Sequence, residues 1–224
     1  MRQIVPALLV KSGEEFEQQL RLVEHDCSLI QVDALDGTLF PNTNWFNAEH
    51  IGSLSTNVEI ELHLMVENPI PIVEMWKKYV PTFTRAIVHA EMHRPLAAVV
   101  DHIQHVLKIG VGVAINPETP LSEAEDVLHV IDQLTIMSVH PGLQGQAFGD
   151  REHLGGADAI FEKIHQVKLH RPDLLVEIDG GITRELIKPL AEAGIDRFGI
   201  GSLIFASKDP TATLKELNTL VNTL

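Results

Sequence analysis

Short apolar, β-branched runs alternate with longer amphipathic stretches from one end of this 224-residue chain to the other, and that alternation limits the fold more than any other feature. The runs occupy residues 4–9, 29–33, 58–65, 85–89, 111–115, 133–139, 174–179 and 197–200, lengths that suit strands rather than helices. The stretches between them carry helix punctuation. "SGEEFEQQLRLVEHD" opens on Ser12 with Glu15 three residues later, a capping box. "RPLAAVVDHIQHVLKIG" places apolar residues at i, i+3 and i+4 and stops at Gly110. "TRELIKPLAEAGID" runs from Thr183 to Gly194, and "DPTATLKELNTLVNTL" follows an aspartate cap with a proline in the first turn. Strict βα alternation implies parallel strands covered by helices. Eight such units in this length predict an α/β fold, a closed (β/α)8 TIM barrel forming one domain over residues 1–224. A doubly wound open sheet is the rival. Its glycine fingerprint after the first strand is missing, since "VPALLVKSGEE" offers only Gly13.

Charge narrows the partners. Seventeen Lys and Arg against 31 Asp and Glu give a formal net charge of −14. A field of that sign repels phosphate backbones and anionic lipid, so neither nucleic acid nor a membrane surface is expected as a partner. Any anionic substrate must be held by local dipoles. The single cysteine, Cys27, has no partner for an internal disulfide and suits a reducing compartment. The apolar run "IVPALLV" is short for a signal-peptide core and far short of a membrane span, so the expected location is the cytoplasm.

Several strands carry polar residues with period two, and residues i and i+2 of a strand share a face. In "LIQVDALDG", Gln31 and Asp33 lie opposite Ile30 and Val32; in "VEIELHLM", Glu61, His63 and Met65 lie opposite Ile60, Leu62 and Leu64. "LLVEIDGG" puts Glu177 and Asp179 on one face, and "IVHAE" adds His89 and Glu91. Charged groups pointing into a closed interior are costly unless paired, hydrogen-bonded or metal-bound. At the carboxyl ends of barrel strands they line a shared cup where such folds carry chemistry. The plainer reading is loop anchoring for Asp33, His63 and Asp179, orientation of neighbours for Glu61, Glu177, His89 and Glu91, and a turn cap for Asp36. His102 and His105 read as a solvated helix face. Glycines follow three consecutive strands, in "PGLQGQ", "DGG" and "GIGS". Backbone N–H groups at such loops approach anions closely, which gives this acidic chain a means of holding a phosphate without a lysine cluster.

Taken together, "VDALDG" with "FPN", "ELHLMVENP", "INPETP", "MSVHPGLQGQAF", "EIDGGI" and "GSLIF" occur in the order found in ribulose-phosphate 3-epimerases, and the chain resembles that family from about Val5 to Phe205. The resemblance implies a (β/α)8 barrel that interconverts D-ribulose 5-phosphate and D-xylulose 5-phosphate with a divalent cation, Mg, Mn, Fe or Zn. Metal ligands carried over are Asp33, His63 and Asp179, with Gln31 standing where the family has a histidine. The resemblance makes Asp33 and Asp179 the alternating base and acid. Met65 and Met137 become polarizable walls at the substrate, and Gly145, Gly180, Gly181, Gly201 and Ser202 the phosphate cradle. It further implies a phosphorylated pentulose as partner and a homo-oligomer, the common state in the family. Departures are Gln31, Ala7 for a serine, Leu35 for a methionine, Gln144–Gly145 for a double glycine, and a longer segment after Phe148. A Gln, Asp, His, Asp donor set is oxygen-rich and favours hard cations. Different sugar-phosphate chemistry on the same barrel (isomerase, aldolase or decarboxylase) and a non-catalytic sugar-phosphate binding protein are the alternatives.

Overall fold

In the computed structural model, which describes residues 2–142, 145–149 and 156–224, eight parallel strands pair in chain order and the last pairs with the first. They are β1 (Gln3–Leu8), β2 (Leu29–Leu35), β3 (Glu59–Met65), β4 (Phe83–His89), β5 (Gly110–Ile115), β6 (Gln133–Met137), β7 (Leu175–Asp179) and β8 (Arg197–Ile200). The closed (β/α)8 barrel is therefore the architecture, and the open sheet is excluded. Helices α1 (Gly13–Val23), α2 (Ala48–Ser53), α3 (Ile70–Tyr79), α4 (Leu96–Asp101), α5 (Gly156–His170), α6 (Arg184–Ala193), α7 (Ser202–Phe205) and α8 (Pro210–Asn222) ring the strands, with a 3-10 segment, Leu121–Val127, after β5.

The local signals act largely as written in the sequence. Ser12 accepts from the Glu15 N–H, while the Glu15 carboxylate reaches back to the Lys11 N–H. Asp209 caps Ala212, and Gly194 closes α6 with φ 117°. One stretch departs. The stripe after Arg94 does not continue as an α-helix to Gly110 but changes to a π turn over His102–Val106. The left-handed residue that ends it is Lys108, φ 56°, not a glycine. Gly110 instead opens β5, where a Cβ would stand 3.0 Å from the Thr84 carbonyl.

Hydrophobic burial is concentrated between strands and helices. Ile30, Val32, Ile60, Leu62, Val111, Leu134, Val176 and Phe198 face outward onto Phe16, Leu20, Trp76, Ile164, Leu190 and Leu217, and all of these are buried. Each contributes roughly 1.5–3 kcal/mol. The opposite face of the same strands fills the barrel interior with polar groups. Register sets Gln31 beside Ala7 and Glu61, Asp33 beside His63, Met137 beside Asp179, and Glu177 beside Arg197. That layering fixes the height of every group described next.

Candidate active site

The lower polar layer hydrogen-bonds within itself. Glu61 Oε2 accepts from Arg85 Nη1 at 3.0 Å and Arg197 Nη1 at 3.1 Å; Arg197 Nη1 also donates to Gln133 Oε1 at 2.8 Å. Gln133 donates to Thr135 Oγ1 at 3.1 Å, and Thr135 to Glu177 Oε1 at 3.2 Å. Burial pushes the Glu177 carboxyl well above the usual range, and neighbouring Glu61 adds to the shift. Glu177 is therefore stabilised in its neutral form, and the two arginines both face Glu61. Glu61 and Glu177 belong to this floor rather than to the cup above it.

One layer up, Gln31, Asp33, His63 and Asp179 converge. Gln31 Nε2 donates to Asp33 Oδ1 at 3.0 Å and to Asp179 Oδ2 at 2.8 Å. His63 Nδ1 lies 3.2 Å from Asp33 Oδ1 and 3.5 Å from Asp179 Oδ2. Gln31 and His63 are fully buried, whereas the two aspartate side chains keep 14% and 13% exposure and so reach the cleft above. Burial pushes the Asp33 carboxyl up and the charge of Asp179 adds, while His63 and Gln31 pull the other way. Burial also opposes a charged His63, but hydrogen bonds and charge from Asp179 and Asp33 outweigh it and lift the imidazole to about 10.

The donor set fits a divalent cation. One ligand atom each from Asp33, His63 and Asp179 lies within 4.8 Å of the other two. The Gln31 side chain supplies the fourth position conditionally. Carboxylates accept only, so the amide faces them through nitrogen, and its oxygen is buried without a partner. A half-turn of the amide would present that oxygen to a cation and send the nitrogen to the vacated side.

Above this floor opens a cleft of about 590 Å³, counted to its open mouth, lined among others by Ala7, Met65, Met137, Gly145, Gly180, Gly181, Gly201 and Ser202. None of its described lining residues is Lys or Arg. Two glycines in it are irreplaceable by geometry. Gly180 has φ 107° and its Cβ would meet Val139 at 2.3 Å; Gly181 has φ 59° and its Cβ would meet the Phe148 nitrogen at 2.4 Å. Gly199 leaves space for Asp179, whose carboxyl carbon would lie 3.2 Å from an added Cβ.

Every described residue singled out in the sequence as catalytic, ligating or phosphate-binding lies on this cleft or, for Gln31, directly under it. Gln144 and residues 150–155 of the longer sixth loop lie outside the described residues. Asp36 takes the plain role, capping the Thr38 N–H at 2.9 Å. His105 pairs with Asp101 on an exposed helix face, and burial pushes the Cys27 thiol up to about 12. Sequence reasoning did not find Arg85 and Arg197 as partners of Glu61, nor Asn116, Thr119 and Lys163 behind Glu91. A signal existed for one: Lys163 interrupts the apolar stripe Ile160, Ile164, Val167 of α5.

Paired carboxylates and an imidazole at the carboxyl ends of parallel strands, beside glycine loops suited to an anion, define a barrel enzyme of acid–base chemistry. Residues 3–205 match the ribulose-phosphate 3 epimerase family. The chain is 32% identical to the ribulose-phosphate 3-epimerase of Aquifex aeolicus (strain VF5), covering 99% of this chain and 97% of that protein. It is 29% identical to the ribulose-phosphate 3-epimerase of Bacillus subtilis (strain 168), covering 97% and 98%. Among solved structures, 3-hexulose-6-phosphate synthase from Salmonella typhimurium shares the fold, with a TM-score of 0.73 at 16% identity over 100% of this chain and 99% of that one. The chain belongs to the ribulose-phosphate 3-epimerase family, and it is an isomerase-class enzyme, an epimerase. No helix among the described residues is long and apolar enough to cross a membrane.

Proposed function

We propose that the enzyme interconverts D-ribulose 5-phosphate and D-xylulose 5-phosphate, with Asp33 and Asp179 as the two bases. The observation that carries this reading is the meeting of both carboxylates on one amide nitrogen, at 3.0 and 2.8 Å, in the floor of the glycine-lined cleft. Inversion at carbon 3 needs a base on one face of the sugar and an acid on the other. One carboxylate takes the proton from carbon 3, the bonding electrons move into the adjacent carbonyl to give an enediolate, and the other carboxyl returns a proton to the opposite face. An aspartate of ordinary pKa, about 4, is a weak base for this task, and burial at Asp33 moves it in the useful direction.

A divalent cation held by Asp33, His63, Asp179 and the turned amide of Gln31 would supply Lewis acidity at the sugar oxygens. The oxygen-rich set favours Mg, Mn or Fe over Zn. Met65 and Met137 offer soft, polarizable surface beside the planar carbons. The phosphate goes to the backbone N–H groups of Gly145, Gly180, Gly181, Gly201 and Ser202, since no described lining residue is a Lys or Arg that could take it. We assign the activity to the cytoplasm and to a homo-oligomer acting on a free phosphorylated pentulose. Incubation with ribulose 5-phosphate in D2O is the test. Xylulose 5-phosphate with deuterium at carbon 3 is expected. Product without exchange would indicate other chemistry, and binding without either would indicate a non-catalytic sugar-phosphate binder.

A further inference from the structure

Behind His63 runs a buried chain of polar contacts that the reaction itself does not touch. His63 Nε2 lies 2.9 Å from His89 Nε2, and His89 Nδ1 lies 2.8 Å from Glu91 Oε2. Both imidazoles are fully buried, with ring planes 18° apart and the edge of Phe40 against His89. The other oxygen of Glu91, Oε1, accepts the Asn116 N–H at 2.7 Å and the Thr119 hydroxyl. The loop bearing those donors is itself pinned. Lys163 Nζ donates to the carbonyls of Asn116, Pro117 and Thr119 at 2.9, 3.0 and 2.6 Å.

These contacts determine where each ring proton sits. A carboxylate only accepts, so His89 Nδ1 must carry the proton that faces Glu91. Two ring nitrogens 2.9 Å apart have room for one proton between them. His63 faces two carboxylates through Nδ1 and His89 faces one, so the shared proton belongs on His63 Nε2 and the lone pair on His89 Nε2. Without a cation, His63 Nδ1 also carries a proton, towards the two carboxylates; a cation would displace that proton, and because Nε2 keeps its own against His89, Nδ1 is the nitrogen that then offers a lone pair between Asp33 and Asp179.

We propose that His89 and Glu91 are positioning residues that fix the tautomer of His63, so that Nδ1 is presented to a divalent cation in the Asp33–Asp179 site. The inference rests on the metal-assisted reading above. Outer partners of this kind orient ligating histidines, and their loss costs about 10–100-fold in metal affinity.

Glu91→Gln provides an isosteric test, because the wall behind it dictates which way the amide turns. Asn116 N–H and the Thr119 hydroxyl both require an acceptor, so the amide oxygen stays on their side and the NH2 faces His89. His89 Nδ1 then becomes the acceptor, its Nε2 gains the proton, His63 Nε2 accepts, and His63 Nδ1 carries a proton into the site. Two readouts follow on full-length protein. Long-range 1H–15N NMR of the histidine rings should show His89 protonated on Nδ1 in the wild type and on Nε2 in Glu91→Gln. Mn2+ affinity, measured by the EPR signal of the free ion, should fall by about 10-fold or more. Wild-type His89 protonated on Nε2 would overturn the proposal, as would a folded Glu91→Gln variant binding Mn2+ within twofold of wild type. Should Glu91→Gln fail to fold, the wild-type ring assignment still decides. A wild type that binds no Mn2+ but shows the Nδ1–H form of His89 would remove the metal from the functional reading and leave the tautomer relay standing.

Discussion

Gln31→Glu changes one atom at the centre of the site and tests whether the amide stands in for a cation. In the wild type, Gln31 Nε2 donates to Asp33 at 3.0 Å and to Asp179 at 2.8 Å. Hydrogen bonds to charged groups contribute about 1.5–3 kcal/mol each, so losing both removes at least about 3 kcal/mol. A third carboxylate at those separations adds repulsion of about 5–6 kcal/mol per charged pair at an effective dielectric of 20. The variant escapes the larger cost by binding a proton, at a free-energy cost that grows with pH, so its metal-free stability falls as pH rises. In chelator at pH 7.5, the melting temperature should drop by about 6–12 °C, the shift expected of about 3 kcal/mol in a protein of this size. Excess Mg2+ or Mn2+ should reverse that loss, because a cation binding the folded state at 100 times its Kd contributes about 2.7 kcal/mol. Differential scanning calorimetry with EDTA and with cation measures both. The gap between the two conditions should be wider in Gln31→Glu than in wild type. An unchanged melting temperature in chelator, or an equal gap in both proteins, would refute the bridging role of the amide.

Asp179→Asn should lower kcat by about 10²–10⁴-fold while leaving inorganic phosphate affinity nearly intact; near-normal turnover in a single-turnover assay removes Asp179 from the chemistry. Gly181→Ala places a Cβ 2.4 Å from the Phe148 nitrogen at φ 59°, so KM for ribulose 5-phosphate should rise at least about tenfold if this loop holds the phosphate; an unchanged KM relocates the anion. In the metal-free protein, His63 titrates near 10, against about 6.5 when unfolded. Its contribution to stability is complete below about pH 6.5 and is lost as pH climbs towards 10. The melting-temperature difference between wild type and His63→Gln in chelator should therefore shrink across that window; a constant difference contradicts the shift. Arg197→Met leaves Glu61 with Arg85 alone and Gln133 Oε1 without its donor. Because Glu61 keeps Arg85, the loss is that of hydrogen bonds rather than of an unpaired buried charge, about 1.5–3 kcal/mol in urea unfolding; a loss under 1 kcal/mol contradicts the paired floor.

The barrel and its cup were legible because their signals are periodic. Alternation of period two put Gln31, Asp33, Glu61, His63, Glu177 and Asp179 on inner faces, and the observed register keeps them there. What period two cannot supply is distance across the barrel. Glu61 meets Arg197 across 136 residues of sequence, and Gln31 meets Asp179 across 148, through barrel closure rather than local pattern. Nor does alternation reveal which end of an amide faces a carboxylate, or that His89 stands between His63 and Glu91. The π turn at His102–Val106 escaped for a different reason. An apolar stripe reads alike for slightly different windings, and Lys108 adopts a left-handed φ that sequence preference assigns to glycine.

The two polar layers differ in balance, and that difference locates the chemistry. Below, Arg85 and Arg197 face Glu61 and a Glu177 stabilised in its neutral form, so the floor carries no surplus of negative charge to be relieved. Above, Asp33 and Asp179 share a single imidazole and an uncharged amide, and Glu91 lies behind a His89 whose burial disfavours its charged form. Negative charge is in excess there, which attracts a cation and repels a phosphate. The glycine loops follow β6, β7 and β8, whereas Asp33 and His63 rise from β2 and β3. A sugar phosphate spanning the cleft with its anionic end on the glycine side carries its carbonyl end towards the surplus. Charge separation of this kind orients the substrate without a Lys or Arg among the described lining residues. It also explains how a chain of net charge −14 holds an anion.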